Sequence, residues 1–188
     1  MKLESDKDFL NKRFTKQELN SVEFDSCRFI NCDFSNLNIF SAEFLDCVFD
    51  SCNFTSIVLS DVSFKNTEFN ECKLVGVDFS SLNQFLLSMS FKKSVLDFSS
   101  FVNLDLKGVS FAECSLKSVQ FISCDLFKCG FNYSNLESAI FENNKLEKAD
   151  FRTSENFNID PELNKLSGAK FSLHTLSGLL TKYNLEIE

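Results

Sequence analysis

The chain has 188 residues, the length of one domain, and its net charge of −8 disfavours non-specific attachment to nucleic acid or to an anionic membrane surface and favours a basic partner. Its 24 Phe stand against two Tyr, no Trp, one Pro and five Gly, a bias that an ordinary enzyme of this size would rarely show, so something periodic demands Phe. No stretch approaches the roughly 20 apolar residues of a bilayer span and Met1 to Asp8 has no apolar signal core, so a cytoplasmic protein with no membrane partner is expected.

Residues 1–11 carry no pattern and read as an N-terminal lead-in to a repeat region that spans 12–153. From Phe14 to Phe79 every fifth residue is apolar: Phe14, Leu19, Phe24, Phe29, Phe34, Ile39, Phe44 and so on, fourteen positions without a miss. After an interruption the lattice resumes at Phe91 and alternates Phe and Leu through Phe151, thirteen further positions, and 17 of the 24 Phe lie on it. A helix turning about 100° per residue rotates each successive centre by roughly 140° and sprays them around its surface. In a strand an odd spacing sends them to alternate faces. Only a chain that turns a quarter circle every five residues points all of them at one axis, so an all-β, four-sided solenoid is predicted.

Two residues before each centre stands a small or slim residue, and all eight cysteines occupy this slot: Cys27, Cys32, Cys47, Cys52, Cys72, Cys114, Cys124 and Cys129. Cys there is a small buried hydrophobe. Metal ligation is the alternative, but no C-x-x-C spacing appears, and no metal or other cofactor is expected. Cys32, Cys52 and Cys72 are twenty apart, hence stacked within disulfide reach, which a reducing cytosol opposes. With one histidine, His174, no Gly-rich phosphate loop and no nucleophile elbow, the chain does not read as an enzyme.

Residues 17–64 hold eight acids against Arg28, a net −7. At four repeats per coil Glu23 lies beneath Glu43 and Asp25 near Asp46, a line of like charge that either solubilises the rod or meets a basic partner. Between Phe79 and Phe91 the spacing is twelve rather than ten, so Ser80 to Ser90, with Leu82, Phe85 and Leu86, inserts two residues and is a second candidate contact. Residues 154–188 form a last unit. Ser172 reads as an N-cap, and Leu173, Leu176, Leu179, Leu180 and Tyr183 recur at helical spacing, predicting a short α-helix that caps the coil end or joins two chains.

Stretches such as Cys32-Asp33-Phe34-Ser35-Asn36, Val77-Asp78-Phe79-Ser80-Ser81 and Ala149-Asp150-Phe151-Arg152-Thr153 resemble the pentapeptide-repeat family, whose members form right-handed quadrilateral β-helices. The tail, Asn164-Lys165-Leu166-Ser167-Gly168-Ala169-Lys170-Phe171-Ser172-Leu173 with Leu176-Ser177-Gly178-Leu179-Leu180 and Tyr183, resembles that of the Qnr-type quinolone-resistance and related albicidin-resistance proteins. This resemblance implies a homodimer through the tail helix, at Leu173, Leu176, Leu179, Leu180 and Tyr183. It further implies an acidic, DNA-mimicking rod that binds DNA gyrase and topoisomerase IV, relieves inhibition by quinolones or topoisomerase-poisoning toxins, and does not itself bind nucleic acid. The chain lacks the long projecting loops of the best-known members. The solenoid alone fits equally a scaffold for an unrelated protein partner.

Overall fold

The computed structural model describes residues 1–186; the last two positions of the 154–188 unit lie outside the described residues. Its short strands are β1 (Lys2–Ser5), β2 (Asp8–Leu10), β3 (Val22–Asp25), β4 (Arg28–Ile30), β5 (Asn38–Phe40), β6 (Glu43–Leu45), β7 (Val48–Asp50), β8 (Val58–Ser60), β9 (Ser63–Lys65), β10 (Thr67–Asn70), β11 (Met89–Lys92), β12 (Ser100–Val102), β13 (Ser110–Ala112), β14 (Gln120–Ile122) and β15 (Ile140–Glu142). One turn of helix, α1 (Lys16–Leu19), lies in the first coil.

Every pairing is parallel and joins residues one coil apart: Glu23 to Glu43 and Phe44 to Phe64 on the first face, Phe29 to Phe49 on the second, Ile39 to Leu59 on the fourth. The third face is a ladder of single bridges from Arg13 through Asp33, Asn53, Lys73, Val95, Ser115 and Asn135 to Glu155. The offset is twenty residues except across the interruption, where Phe69 pairs with Phe91, so the two extra residues are absorbed within one coil. A parallel β-solenoid with four faces results.

The quarter turn has a backbone cause. Two residues after nearly every centre φ is positive, as at Ser26 (54°), Asn31 (58°), Asp46 (51°) and Ser123 (55°). Ser, Asn and Asp dominate these corners because their short polar side chains tolerate the left-handed region, and glycine is needed at only a few, Gly76, Gly108 and Gly168. Asp or Asn just before the centre closes the turn: Asp33 Oδ1 accepts the Ser35 N–H (3.0 Å) and Asn53 Oδ1 that of Thr55 (3.1 Å).

Inside, the centres stack coil upon coil. Phe29, Phe49, Phe69, Phe91, Phe111, Phe131, Phe151 and Phe171 form one column of near-parallel rings 4.6–5.2 Å apart. Rings of neighbouring faces meet edge to face, as Phe111 and Phe121 do at 5.6 Å and 77°. Both geometries suit the aromatic quadrupole and add about 0.5–1.5 kcal/mol per pair beyond burial.

The slot two residues before the centre selects for more than size. Cys52 Sγ donates to the Phe29 carbonyl (3.2 Å) and Cys129 Sγ to that of Leu106 (2.9 Å). Thr67, Ser134 and Asn144 donate likewise to Phe44, Phe111 and Phe121. A short side chain carrying one donor fills the slot and satisfies a carbonyl of the coil below. All eight cysteines are buried and free, and the column Cys32–Cys52–Cys72 continues through Ser94, whose Oγ accepts the Cys72 N–H (3.0 Å).

Two expectations change at the ends. Residues 1–11 are no separate lead-in: β1 pairs with β3 and β2 with β4, forming a first coil. The lattice hides this because Glu4 occupies the centre position opposite Phe24, its carboxylate held by Lys2 and Lys7. Beside it Lys12 lies 4.6 Å from the centroid of the Phe14 ring and pairs with Glu18 (2.8 Å). Lys12, followed by Thr15, holds the Glu18 carboxyl down at about 2. At the other end the predicted α-helix is 3₁₀ over Leu173–Leu179 and Thr181–Tyr183, with Leu180 N–H bonded to Ser177 O (3.0 Å).

Phe121, stacked on Phe101 and Phe141 and fully buried, is expected to lose about 3–5 kcal/mol of stability on replacement by Ala, measured by denaturant unfolding. Burial pushes the thiols of Cys47, Cys114 and Cys129 up to about 12, so these should stay unlabelled by a maleimide at pH 8 until denaturant is added; prompt native labelling contradicts their placement.

Candidate partner-binding surface

The first face carries half of the concentrated acid, Glu23, Asp25, Glu43 and Asp46. Glu23 and Glu43 are direct cross-strand neighbours, an arrangement tolerated because both side chains reach solvent. Asp25 stands opposite Leu45 rather than in line with Asp46, which sits one residue further on at the left-handed corner, so the carboxylates form a patch and not the single line that twenty-residue spacing suggests. Asp25 accepts the Ser26 hydroxyl (2.9 Å) and Asp46 the Asn66 amide (2.6 Å). Glu43 is paired with Lys65 at 2.7 Å, whereas Glu23, Asp25 and Asp46 make no ion pair among the described residues.

The interruption falls on this same face. Asn83 N–H bonds to Val62 O (2.9 Å) and Ser88 N–H to Phe64 O (3.0 Å), so the loop between them replaces the strand that would follow β9. Leu82, expected as a contact residue, is only 6% exposed and belongs to the core, because it continues the inner slot of Val62. Phe85 and Leu86 project, 71% and 67% exposed, with Leu86 at a positive φ of 59° that a branched aliphatic side chain rarely adopts. Lys65 Nζ lies 5.8 Å from the Phe85 ring, so one lysine joins the acidic patch to the loop. Two groups of candidates separated by forty residues of sequence therefore share one surface.

Beyond the loop the face changes sign. Its ladder resumes at Asp105, Asp125, Lys145 and Lys165. Lys107 spans Asp105 (2.6 Å) and Asp125 (3.4 Å), and Lys145 also reaches Asp125 (3.0 Å). Lys128 and Lys148, at successive corners, lie 5.3 and 5.5 Å from the Phe127 ring centroid. The sequence reading missed these cations, although their twenty-residue spacing was a signal that could have found them. On this face, acid without a paired cation is thus concentrated ahead of the loop.

The tail folds back on the coil end. Ile159 N–H bonds to Gly178 O (2.9 Å), and a Cβ on Gly178 would collide with the Phe157 carbonyl oxygen and ring, so glycine is required for this approach. Burial pulls the Lys182 pKa down, but Asp160 (2.7 Å) and Glu162 (2.8 Å) outweigh it and raise the net value, while Tyr183 donates to Glu162 (3.1 Å). Leu179 packs on the core and Leu180 is half-buried, leaving Leu173, 86% exposed, with Leu176 and Tyr183 outside. The five residues predicted to form one interface are therefore split, Leu173, Leu176 and Tyr183 remaining exposed while Leu179 and Leu180 do not. Phe157 and Ile159, which lie off the lattice, are buried beneath this tail.

Among the described residues no group of three or more His, Cys, Asp and Glu is placed to hold a metal ion, and no helix is long and apolar enough to cross a membrane. His174 lines an open cleft of about 520 Å³ between tail and coil end, together with Glu155 and Phe157.

The repeat is recognised in sequence as well as in shape: the family described as pentapeptide repeat region matches residues 22–85 and 83–151. The chain belongs to the pentapeptide-repeat family. No curated protein matches it in sequence. Among solved structures, this pentapeptide-repeat protein is similar to a trypsin-treated variant of QnrB1, a plasmid-mediated fluoroquinolone resistance protein, with a TM-score of 0.64 and 16% identity over 99% of this chain and 100% of that one. It is similar also to HetL, a pentapeptide-repeat protein involved in heterocyst differentiation regulation from the cyanobacterium Nostoc, with a TM-score of 0.63 and 13% identity over 92% of this chain and 87% of that one. At such identities both likenesses carry the fold alone.

Replacing Gly178 by Ala should lever the tail off Phe157 while the coils persist, read as new protease sensitivity after residue 171 with little change in β-sheet circular dichroism; an unchanged digestion pattern contradicts the packing described.

Proposed function

We propose that this chain binds a type II topoisomerase, DNA gyrase or topoisomerase IV, and protects it from quinolones or topoisomerase-poisoning toxins as a non-enzymatic cytoplasmic homodimer. The observation that carries the reading is the patch on the first face, where Glu23 and Asp25 in one coil and Glu43 and Asp46 in the next supply two carboxylates per coil. Three of the four, Glu23, Asp25 and Asp46, carry no ion pair among the described residues, so at about 4.8 Å per coil the two coils present one unpaired charge per ~3.2 Å, about half the density of duplex DNA at ~1.7 Å, and a groove built to hold phosphates gains electrostatic attraction. The tail sequence and the fold shared with a fluoroquinolone resistance protein support the same reading. The projecting Phe85 and Leu86 add apolar contact beside the charge.

A second reading, a scaffold for an unrelated protein, draws on the near-equal likeness to HetL, since a solenoid by itself fixes no partner.

A gyrase supercoiling assay with a fluoroquinolone separates the two. Added protein should restore supercoiling, and the variant Glu23→Lys, Asp25→Lys, Glu43→Lys, Asp46→Lys should bind gyrase roughly tenfold or more weakly at low salt while remaining folded. Parent protein that neither binds gyrase nor restores supercoiling leaves the scaffold reading. For the dimer, Leu173→Asp with Leu176→Asp should weaken association through the tail in analytical ultracentrifugation; unchanged association places that interface elsewhere.

A further inference from the structure

The first face is polarised about its own middle. Counting coils from the Phe85–Leu86 loop, Asp46 lies two before it and Lys128 two after, both at the corner that ends the face. Glu23 lies three coils before and Lys145 three after, both on the first outward row. At about 4.8 Å per coil, the matched charges sit ~10 Å and ~14 Å from the loop in opposite directions.

We infer that this face pairs with the same face of a second copy, antiparallel, about a two-fold axis that lies across the rod at the loop. Such an axis reverses the rod direction and preserves lateral position, so a corner residue meets a corner residue and a row meets its own row. Asp46 of each copy then faces Lys128 of the other, and Glu23 faces Lys145, four opposite-charge contacts in all. Phe85 and Leu86 of the two copies meet at the axis, an isologous apolar contact that covers the most exposed large hydrophobic side chains of the face, and Leu45 meets Phe127 between the charged rows. Like charges also meet. Glu43 faces Asp125 and Lys65 faces Lys107, but these sit within the chain's own ion pairs, Glu43 with Lys65 on one side and Asp125 with Lys107 on the other, while Lys145, bonded to Asp125 in the single chain, is shared with Glu23 of the second copy. Asp25 against Glu147 is the one unfavourable encounter left, and it lies at the rim, where solvent screens it and the Glu23–Lys145 contact stands beside it.

The pairing accounts for an exposed leucine in a strained conformation at the middle of the face, and for the exposed corner lysine Lys128, which has no ion pair among the described residues. It is independent of the proposed topoisomerase contact and distinct from any association through the tail. Because it covers Glu23 and Asp46, self-pairing competes with a basic partner for the same surface.

Sedimentation velocity at low ionic strength tests this, with Leu173→Asp and Leu176→Asp present throughout to remove tail contacts. The otherwise unaltered chain should dimerise, and salt should weaken the dimer. Adding Glu23→Lys with Asp46→Lys, or separately Lys128→Glu with Lys145→Glu, should weaken it roughly tenfold or more, since each copy then faces its own charge. An equimolar mixture of the two variants should associate again, as should one chain carrying all four changes. A monomer in the unaltered-face background, undiminished dimerisation of either variant, or a mixture that stays monomeric overturns the proposal. Leu86→Cys gives a second readout: mild oxidation should form a symmetric cross-link at the axis, and equal cross-linking of Tyr133→Cys, on a different corner, also overturns it.

Discussion

Each coil must point a large side chain at the common axis from every face while its backbone donors and acceptors find partners only in the coils above and below. Meeting both demands requires a turn every fifth residue and a fixed register between coils, and nearly every other feature follows. The turn requires a left-handed corner, which favours Ser, Asn and Asp over bulky residues and makes a glycine-poor chain possible. The register stacks each Phe on its counterpart, so the aromatic columns are a consequence of the ladder rather than an independent packing choice.

The same constraint explains the cysteines. The slot beside each centre is narrow and lies against a carbonyl of the preceding coil, so Cys, Ser, Thr and Asn are interchangeable there by virtue of one donor each. At the C-terminal end the slot carries Asn144 and Asn164, each donating to the coil below while Asn164 Oδ1 accepts the Asn144 N–H (3.1 Å). These buried amides are satisfied, which is what allows polar residues to complete an otherwise apolar axis.

Because the interior is filled by the lattice positions, the outward rows are free to carry charge without cost to the core. The protein uses that freedom unevenly, placing most of its unpaired acid ahead of the loop and unmatched lysines behind it on one face. Function in such a rod resides in the pattern written on a face and in the places where the repeat is broken. Here the break and the charge reversal coincide at Phe85 and Leu86.

The sequence alone determined the solenoid, its four faces, the buried centres from Phe14 to Phe151 and the interior placement of all eight cysteines, because a five-residue period has only one way to bury itself. It also located the acidic segment and the two-residue insertion. What it left open were the ends and the surface. Glu4 breaks the apolar pattern, so the first coil was invisible until β1 was seen paired with β3, and the tail's helical spacing did not distinguish an α-helix from a 3₁₀ segment held by Gly178 against Phe157. That Leu82 turns inward while Phe85 and Leu86 turn outward depends on which backbone groups bond to Val62 and Phe64. The meeting of acid, loop and lysines on one face is likewise a tertiary fact, since residues forty to eighty apart in sequence become neighbours only when successive coils are stacked in register.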